Sequence, residues 1–352
     1  MGTNITYDHR ELTTFAASVL EKIGAPKADA ELVADCLIKA DLRGVASHGI
    51  SRLPIYAKRL AVGVVNSKPN IRVLKELAGT ALIDGDNGMG PVIGHKAMAL
   101  CIEKAKGAGV GFCAVRNGNH FGIAAYYTLQ ALRQGMIGIA ISNAPPSIAP
   151  WGGVDPKFGT NPLSIAVPAG SHPPLVLDMA VSVVARGKII LAAKQGLPIP
   201  EGWAITKDGR PTTDANEAME GTSLPFGGPK GYGIGLVNDI LSGVLSGAFY
   251  GPLLNSLWGN FEDPQNVGFF MGAINIEAFM DPKEFGERID SYFAQVKAGR
   301  KAPGVEEILI PGELELRAEQ KNVQGGIEVP GAVVEELKQV AETYGIAFPN
   351  GK

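Results

Sequence analysis

Apolar residues in the first eighty positions recur at helical spacing. Leu12, Phe15, Ala16, Val19, Leu20 and Ile23 form one stripe, opened by a capping-box pattern at Asp8 and Glu11 and stopped by Gly24. Leu32, Val33, Cys36, Leu37 and Ala40 form a second, ending near Gly44. A third helix is predicted over 47–62, with Pro54 either kinking it or starting it afresh. The period then shortens. Strands are predicted over 71–74, 80–84, 110–115, 136–142, 163–167, 175–177 and 269–276. Helices over 91–106, 123–133, 182–194 and 231–246 lie between them. In the tail, Asp281 and Pro282 start a helix carrying Phe285, Ile289, Phe293 and Val296, and a last helix covers 331–344. Alternating strands and helices argue for an α/β layer. The expected organisation is a helical domain formed by both chain ends, 1–75 and 281–352, with an α/β domain over 76–280.

Composition narrows the class. At about 150 residues per domain, 352 residues suggest two domains. Apolar residues make up 45 %, too many for a disordered chain. Lys+Arg 32 against Asp+Glu 35 leaves no basic excess, so nucleic acid is not an expected partner. Cys36, Cys101 and Cys113 contain no CxxC pair, which supports neither a zinc ribbon nor a disulfide frame, and no metal is expected. Scattered free thiols fit a reducing cytoplasm. Met1 to Arg10 is polar and lacks the apolar core of a signal peptide. The most apolar run, Leu236 to Leu254, is interrupted by Asn238 and Asp239; it reads as a buried helix rather than a membrane span.

Three stretches carry candidate chemistry. In a helix, His48, Arg52 and Tyr56 fall on one face at i, i+4 and i+8, with Ser47 beside the imidazole. A guanidinium grips a carboxylate in a bidentate fork, and a neighbouring imidazole exchanges a proton with a hydroxyl or carbonyl. The same pattern also describes an ordinary solvated face. His120, in Asn117-Gly-Asn-His-Phe-Gly122, sits between a strand and a helix, where α/β folds gather ligands; the bland alternative is a polar turn. The Pro- and Gly-rich loop from Ser142 and Asn143 to Gly153, with Thr160 in Gly159–Pro162, has the length and composition of a functional loop or of a self-packed Ω-loop. Asp178-Met179-Ala180 ends a strand and suits either ribose hydroxyls or a helix cap; Lys230 suits a phosphate or a surface turn. Gly88, Gly90 and Gly94 give GxGxxxG rather than the dinucleotide fingerprint GxGxxG, and read as turn glycines.

Eight segments, in one order over most of the chain, together resemble the malate/L-lactate dehydrogenase type 2 family of NAD(P)-dependent oxidoreductases. They are RGVASHGISRLPIY at 43–56, GNHFG at 118–122, APWGG at 149–153, GTNPLSIAVP at 159–168, LDMA at 177–180, RGKI at 186–189, GWAITKDGRPTTD at 202–214 and GGPKGYGIG at 227–235. The resemblance implies a non-Rossmann nucleotide-binding α/β domain at 76–280, a homodimer with sites near its interface, and oxidation of 2-hydroxy acids or reduction of 2-oxo acids. It makes His48 the acid/base, with Ser47 beside it, or passes that role to His120. It makes Arg52 the carboxylate ligand, with Tyr56 and Thr160 as further substrate contacts. His120, Gly122, Ser142, Asn143, Asp178, Met179, Ala180, Lys230, Gly312 and Glu313 match cofactor-contacting positions. The expected cofactor is NAD, with NADP as the alternative. Imine-reducing relatives carry His-Gly-Asp where this chain has Arg186-Gly187-Lys188, which disfavours that chemistry here. A malate-like diacid is the expected substrate, with Arg186 and Lys188 as candidates for its second carboxylate. The rivals are a diketo sugar acid or cyclic imino acid reductase and, in another class, a non-catalytic carboxylate-binding protein.

Overall fold

The computed structural model describes residues 4–351, so the first three residues of the polar N-terminal stretch lie outside it. In chain order the elements are β1 (Ile5–Tyr7), α1 (His9–Lys22), α2 (Lys27–Leu42), α3 (Leu53–Ala61), β2 (Arg72–Glu76), β3 (Thr80–Asp84), α4 (Gly90–Ala108), β4 (Val110–Gly118), α5 (Ala125–Leu132) and β5 (Ile137–Ser142). There follow β6 (Leu163–Val167), β7 (Leu175–Met179), α6 (Arg186–Gln195), β8 (Ala204–Ile205), α7 (Ala215–Glu220), β9 (Thr222–Ser223), α8 (Pro229–Asp239) and β10 (Val267–Ile274). The chain ends with α9 (Pro282–Lys297), α10 (Glu313–Gly325), β11 (Ile327–Val329) and α11 (Gly331–Tyr344).

The central sheet runs β2-β3-β4-β10-β5-β6-β7. Among the described residues β3 and β4 pair in parallel, and its other neighbours pair antiparallel. A doubly wound dinucleotide fold has a mostly parallel sheet. This mixed α/β sheet is therefore of another kind, as expected. β10 comes late in sequence yet lies at its centre, because Phe269, Met271 and Ala273 are fully buried. They join Met98 and Cys101 of α4 and Val115 of β4 in one core.

The two chain ends share a second core. β1 pairs antiparallel with β11, Ile5 opposite Val329. Leu12, Phe15 and Leu20 of α1 pack with Leu53 and Leu60 of α3 and with Val334 and Leu337 of α11. α9 lies against the β6–β7 turn, where the Asp290 carboxylate accepts from the backbone N–H groups of Gly170, Ser171 and His172 at 2.6–3.1 Å. Cys36, Cys101 and Cys113 are free and buried.

Two expectations need correction, and a further element, α10, lies outside those read from the sequence. The single helix over 47–62 is broken: Ala46–His48 and Ile50–Arg52 are separate 3₁₀ turns, and α3 begins at Leu53. The break falls at Gly49, where a Cβ would collide with the Asp41 carboxylate, while Asp41 Oδ2 accepts from Ile50 N at 2.6 Å. The apolar helix near 236–254 is not buried on its apolar side. α8 continues into a π turn, Ile240–Val244, and presents Val237, Ile240, Val244 and Leu245 outward while Asn238, Asp239 and Ser242 face inward. Apolar periodicity does not mark α10. It is held on α2 by polar contacts, Glu319 with Lys39 at 2.7 Å and with Arg43 at 3.3 Å, so it leaves no strong apolar stripe to read.

Candidate active site

The chain places His48 in the first 3₁₀ turn and Arg52 at the end of the second, on the loop that Gly49 and Asp41 shape. His120 follows β4. Its loop lies close over the start of α4 because Gly90 has no side chain: a Cβ there would strike the backbone carbonyls of Asn119 and His120. The Asn119 amide nitrogen donates to the carbonyls of Asn87 and Gly88 at 3.1 and 2.9 Å, tying the loop down.

These segments meet at one cavity of about 510 Å³. His48, Arg52, His120, Gly122, Ser142, Asn143 and Thr160 line it. The imidazoles of His48 and His120 stack, 5.4 Å between centroids and 20° from parallel. Ser47 Oγ is 2.9 Å from His48 Nδ1. Burial, and then repulsion from Arg52, holds His48 down to about 4. Burial, His48 and Arg52, in that order, hold His120 well below the usual imidazole range. Both rings are therefore neutral near pH 7, and Arg52 is the charge they face. The Arg52 guanidinium lies 5.0 Å over the Trp258 ring, and its Nε is buried without a hydrogen-bond partner among the described residues. An unpartnered, stacked guanidinium beside two neutral imidazoles can take a carboxylate and place the adjacent oxygen on a proton carrier.

The other expected residues lie elsewhere or are committed. Tyr56 is buried behind His120, its hydroxyl 2.7 Å from His120 Nδ1, and lines a small separate cavity. Asn143 lines the main cavity, but its Nδ2 donates to Asp239 Oδ1 and Phe249 O and its Oδ1 accepts from Gly268 N, all at 2.8–2.9 Å. Its amide is thus spent on holding α8 and β10. Asp178 Oδ2 accepts from Ala125 N at 2.8 Å, at the start of α5. Val176 N donates to Pro311 O at 2.8 Å, which brings Gly312 and Glu313 beside β7, near Asp178, Met179 and Ala180. The Glu313 carboxylate is held by Lys297 and by Ile310 N. Lys230, exposed in the first turn of α8, lines a shallow groove with Ile141 and Leu163.

Two of the cavity residues that the sequence reading does not mark bear on the chemistry. Gln265, fully buried, accepts from His120 N at 3.1 Å and fixes that loop. Trp258 covers Arg52. A tryptophan in an Asn- and Gly-rich loop is a usable signal for the second; nothing local marks the first. Arg186 also lines the cavity, whereas Lys188 is exposed and does not. The volume exceeds the needs of a four-carbon acid, and the Pro145-Pro146 wall with the Thr160 hydroxyl suits a flat, amide-bearing ring such as nicotinamide. The Ser142 hydroxyl is spent on the Asn143 and Gly268 carbonyls.

The malate/L-lactate dehydrogenase family model matches residues 7–338. The chain is 46 % identical over 328 residues to L-sulfolactate dehydrogenase of Methanocaldococcus jannaschii, covering 93 % of this chain and 94 % of that one. It is 43 % identical over 343 residues to malate dehydrogenase of Pyrococcus horikoshii, covering 95 % and 94 %. The solved structure of sulfolactate dehydrogenase from Methanocaldococcus jannaschii superposes with a TM-score of 0.93 at 44 % identity, covering 98 % of each chain.

Proposed function

The chain belongs to the malate/L-lactate dehydrogenase family and is an NAD(P)-dependent 2-hydroxyacid dehydrogenase; from that premise we propose that its substrate is a short 2-hydroxy acid with a second anionic group, malate or its sulfonate counterpart. The observation that carries this reading is the unpartnered Arg52 beside the stacked imidazoles, with Arg186 on the same cavity. Arg52 takes the C1 carboxylate as a bidentate pair. His48 or His120 then meets the C2 oxygen and holds or returns its proton. The nicotinamide, when bound, supplies or receives the hydride at C2. The chain's own groups orient the acid and exclude water. Arg186, with Nη2 already donating to Met219 O at 2.7 Å, is held at the cavity for the distal anion. Lys188, pointing to solvent, has no part in this. Residues 1–75 thus supply the acid anchor, and 76–280 supply the wall against which the cofactor rests.

The test is a panel of 2-oxo acids assayed with NADH and with NADPH. Oxaloacetate and sulfopyruvate should exceed pyruvate in kcat/KM by roughly a hundredfold, and Arg186→Ala should erase most of that margin. Equal use of pyruvate by the parent contradicts the second anion.

We also infer a homodimer. Its support is the outward apolar face of α8 and the π turn, together with the exposed Phe249, Tyr250 and Leu253 that follow them in the chain. Sedimentation equilibrium at dilute concentration tests it, and a fully active monomer rejects it.

A further inference from the structure

Tyr56 is placed to decide which nitrogen of His120 carries a proton. Its hydroxyl oxygen lies 2.7 Å from His120 Nδ1 and 3.3 Å from the His120 carbonyl oxygen. Gly122 N is 3.4 Å from the same Nδ1. A backbone N–H only donates, so at rest Nδ1 accepts, the Tyr56 hydroxyl donates to it as well, and the ring proton sits on Nε2. In that form His120 is a hydrogen-bond donor to the cavity and has no lone pair there. To act as a base it must carry its proton on Nδ1 and leave Nε2 free. Nδ1–H then needs an acceptor. The Tyr56 oxygen serves, provided its own hydrogen turns to the His120 carbonyl.

We propose that Tyr56 is a positioning residue whose hydroxyl turns between Nδ1 and the carbonyl oxygen of His120, switching that imidazole from a donor to a base. The change of tautomer passes through the imidazolium: a water proton reaches Nδ1 as the Tyr56 hydroxyl turns away, and the Nε2 proton leaves to cavity water. In the oxidation direction the C2 hydroxyl proton then passes to the freed Nε2, the C2 hydride passes to the oxidised nicotinamide, and Nδ1–H stays bonded to the Tyr56 oxygen. Reduction returns the same proton and hydride to the carbonyl. Tyr56 keeps its own proton throughout, because burial raises its pKa far above neutrality. The charged and titratable groups facing the pair are His48, Arg52 and, behind Tyr56, Cys36. Burial, His48 and Arg52 all oppose a charge on His120, and the Tyr56 oxygen, 2.7 Å from Nδ1, is the acceptor placed to offset them.

This inference rests on His120 facing the C2 oxygen, so its test includes a measurement that needs no turnover. Tyr56→Phe keeps the buried ring and removes the hydroxyl. Imidazole ¹⁵N spectra of His120, recorded across about pH 4 to 9 on both proteins, report tautomer and protonation. The parent should show protonated Nε2 and unprotonated Nδ1 at neutral pH, and the variant should protonate at distinctly lower pH. Turnover should fall by about 10²-fold or more with KM for the 2-oxo acid and the cofactor nearly unchanged. Parent spectra with the proton on Nδ1 at rest overturn the switch even if the variant does not fold. So does a variant with the parent's protonation midpoint, whether or not it has lost activity. If no 2-oxo acid is turned over by the parent, the dehydrogenase reading fails, while the spectra still decide the role of Tyr56.

Discussion

The imidazoles of His48 and His120 lie face to face, 5.4 Å apart and 20° from parallel. Rings that close cannot both be charged without a large mutual penalty, so at most one of them is an imidazolium at a time. His48 reaches Ser47 through its Nδ1, and His120 reaches Tyr56 through its own. Each ring thus has an anchor behind it and Arg52 as a charged neighbour.

The first consequence concerns which ring works. His120→Ala should lower kcat by roughly 10²–10⁴-fold while leaving cofactor affinity close to that of the parent, and His48→Ala should lower it as well if the stacked rings act together. Steady-state rates with cofactor titrations measure this. Near-normal turnover in His48→Ala, with the defect in His120→Ala, assigns the proton to His120 alone. If the two rings act as a unit, the double variant loses about as much as the worse single variant.

The second concerns protonation on binding. Burial holds both imidazoles below their usual range and Arg52 adds to it, and an arriving carboxylate offsets the Arg52 share. The histidine pKa then rises from its depressed value toward, but not past, the ordinary imidazole range. Proton uptake on binding the 2-oxo acid therefore appears at acid pH, between about 4 and 6.5, and affinity strengthens as pH falls through that range. Calorimetry of the cofactor complex in that range, in two buffers of different ionisation enthalpy, reads the uptake directly. Heat that does not depend on the buffer, or that indicates proton release, contradicts it.

The third concerns the break before α3. Gly49→Ala drives a methyl into the Asp41 carboxylate, which also holds Ile50 N. Overpacking of this kind costs about 1–3 kcal/mol. Because the same loop carries His48 and Arg52, kcat/KM should drop along with the urea midpoint. A variant of parental stability and activity shows that the loop tolerates the shift.

Much of this site was legible in the sequence because its chemistry is concentrated. His48, Arg52 and His120 are titratable groups among small residues, and their segments do meet in space. Their common helix face was the wrong reason. The helix breaks at Gly49 for the sake of Asp41, a long-range partner that periodicity does not see. Asn143, which the resemblance places among the cofactor contacts, spends its side-chain amide on Asp239, Phe249 and Gly268, each about a hundred residues or more away, which no local pattern shows. The apolar run in α8 was read as buried because hydrophobicity says nothing of which face is turned inward; here Asn238 donates to Asn161 O at 2.8 Å and takes the inner face. The sheet strands were the easiest part, since Phe269, Met271 and Ala273 keep the period of two at the sheet's centre.

The account turns on Arg52 as the seat of the substrate carboxylate. Lysine keeps the charge but loses the two-pronged fork and the flat face that meets Trp258 at 5.0 Å. The most direct measurement is the KM for oxaloacetate in Arg52→Lys against the parent, with the cofactor KM taken alongside. A rise of about tenfold or more in the first and little change in the second is the expected result. An unchanged KM for oxaloacetate, and for every other 2-oxo acid turned over, would place the carboxylate elsewhere and leave Arg52 a structural residue.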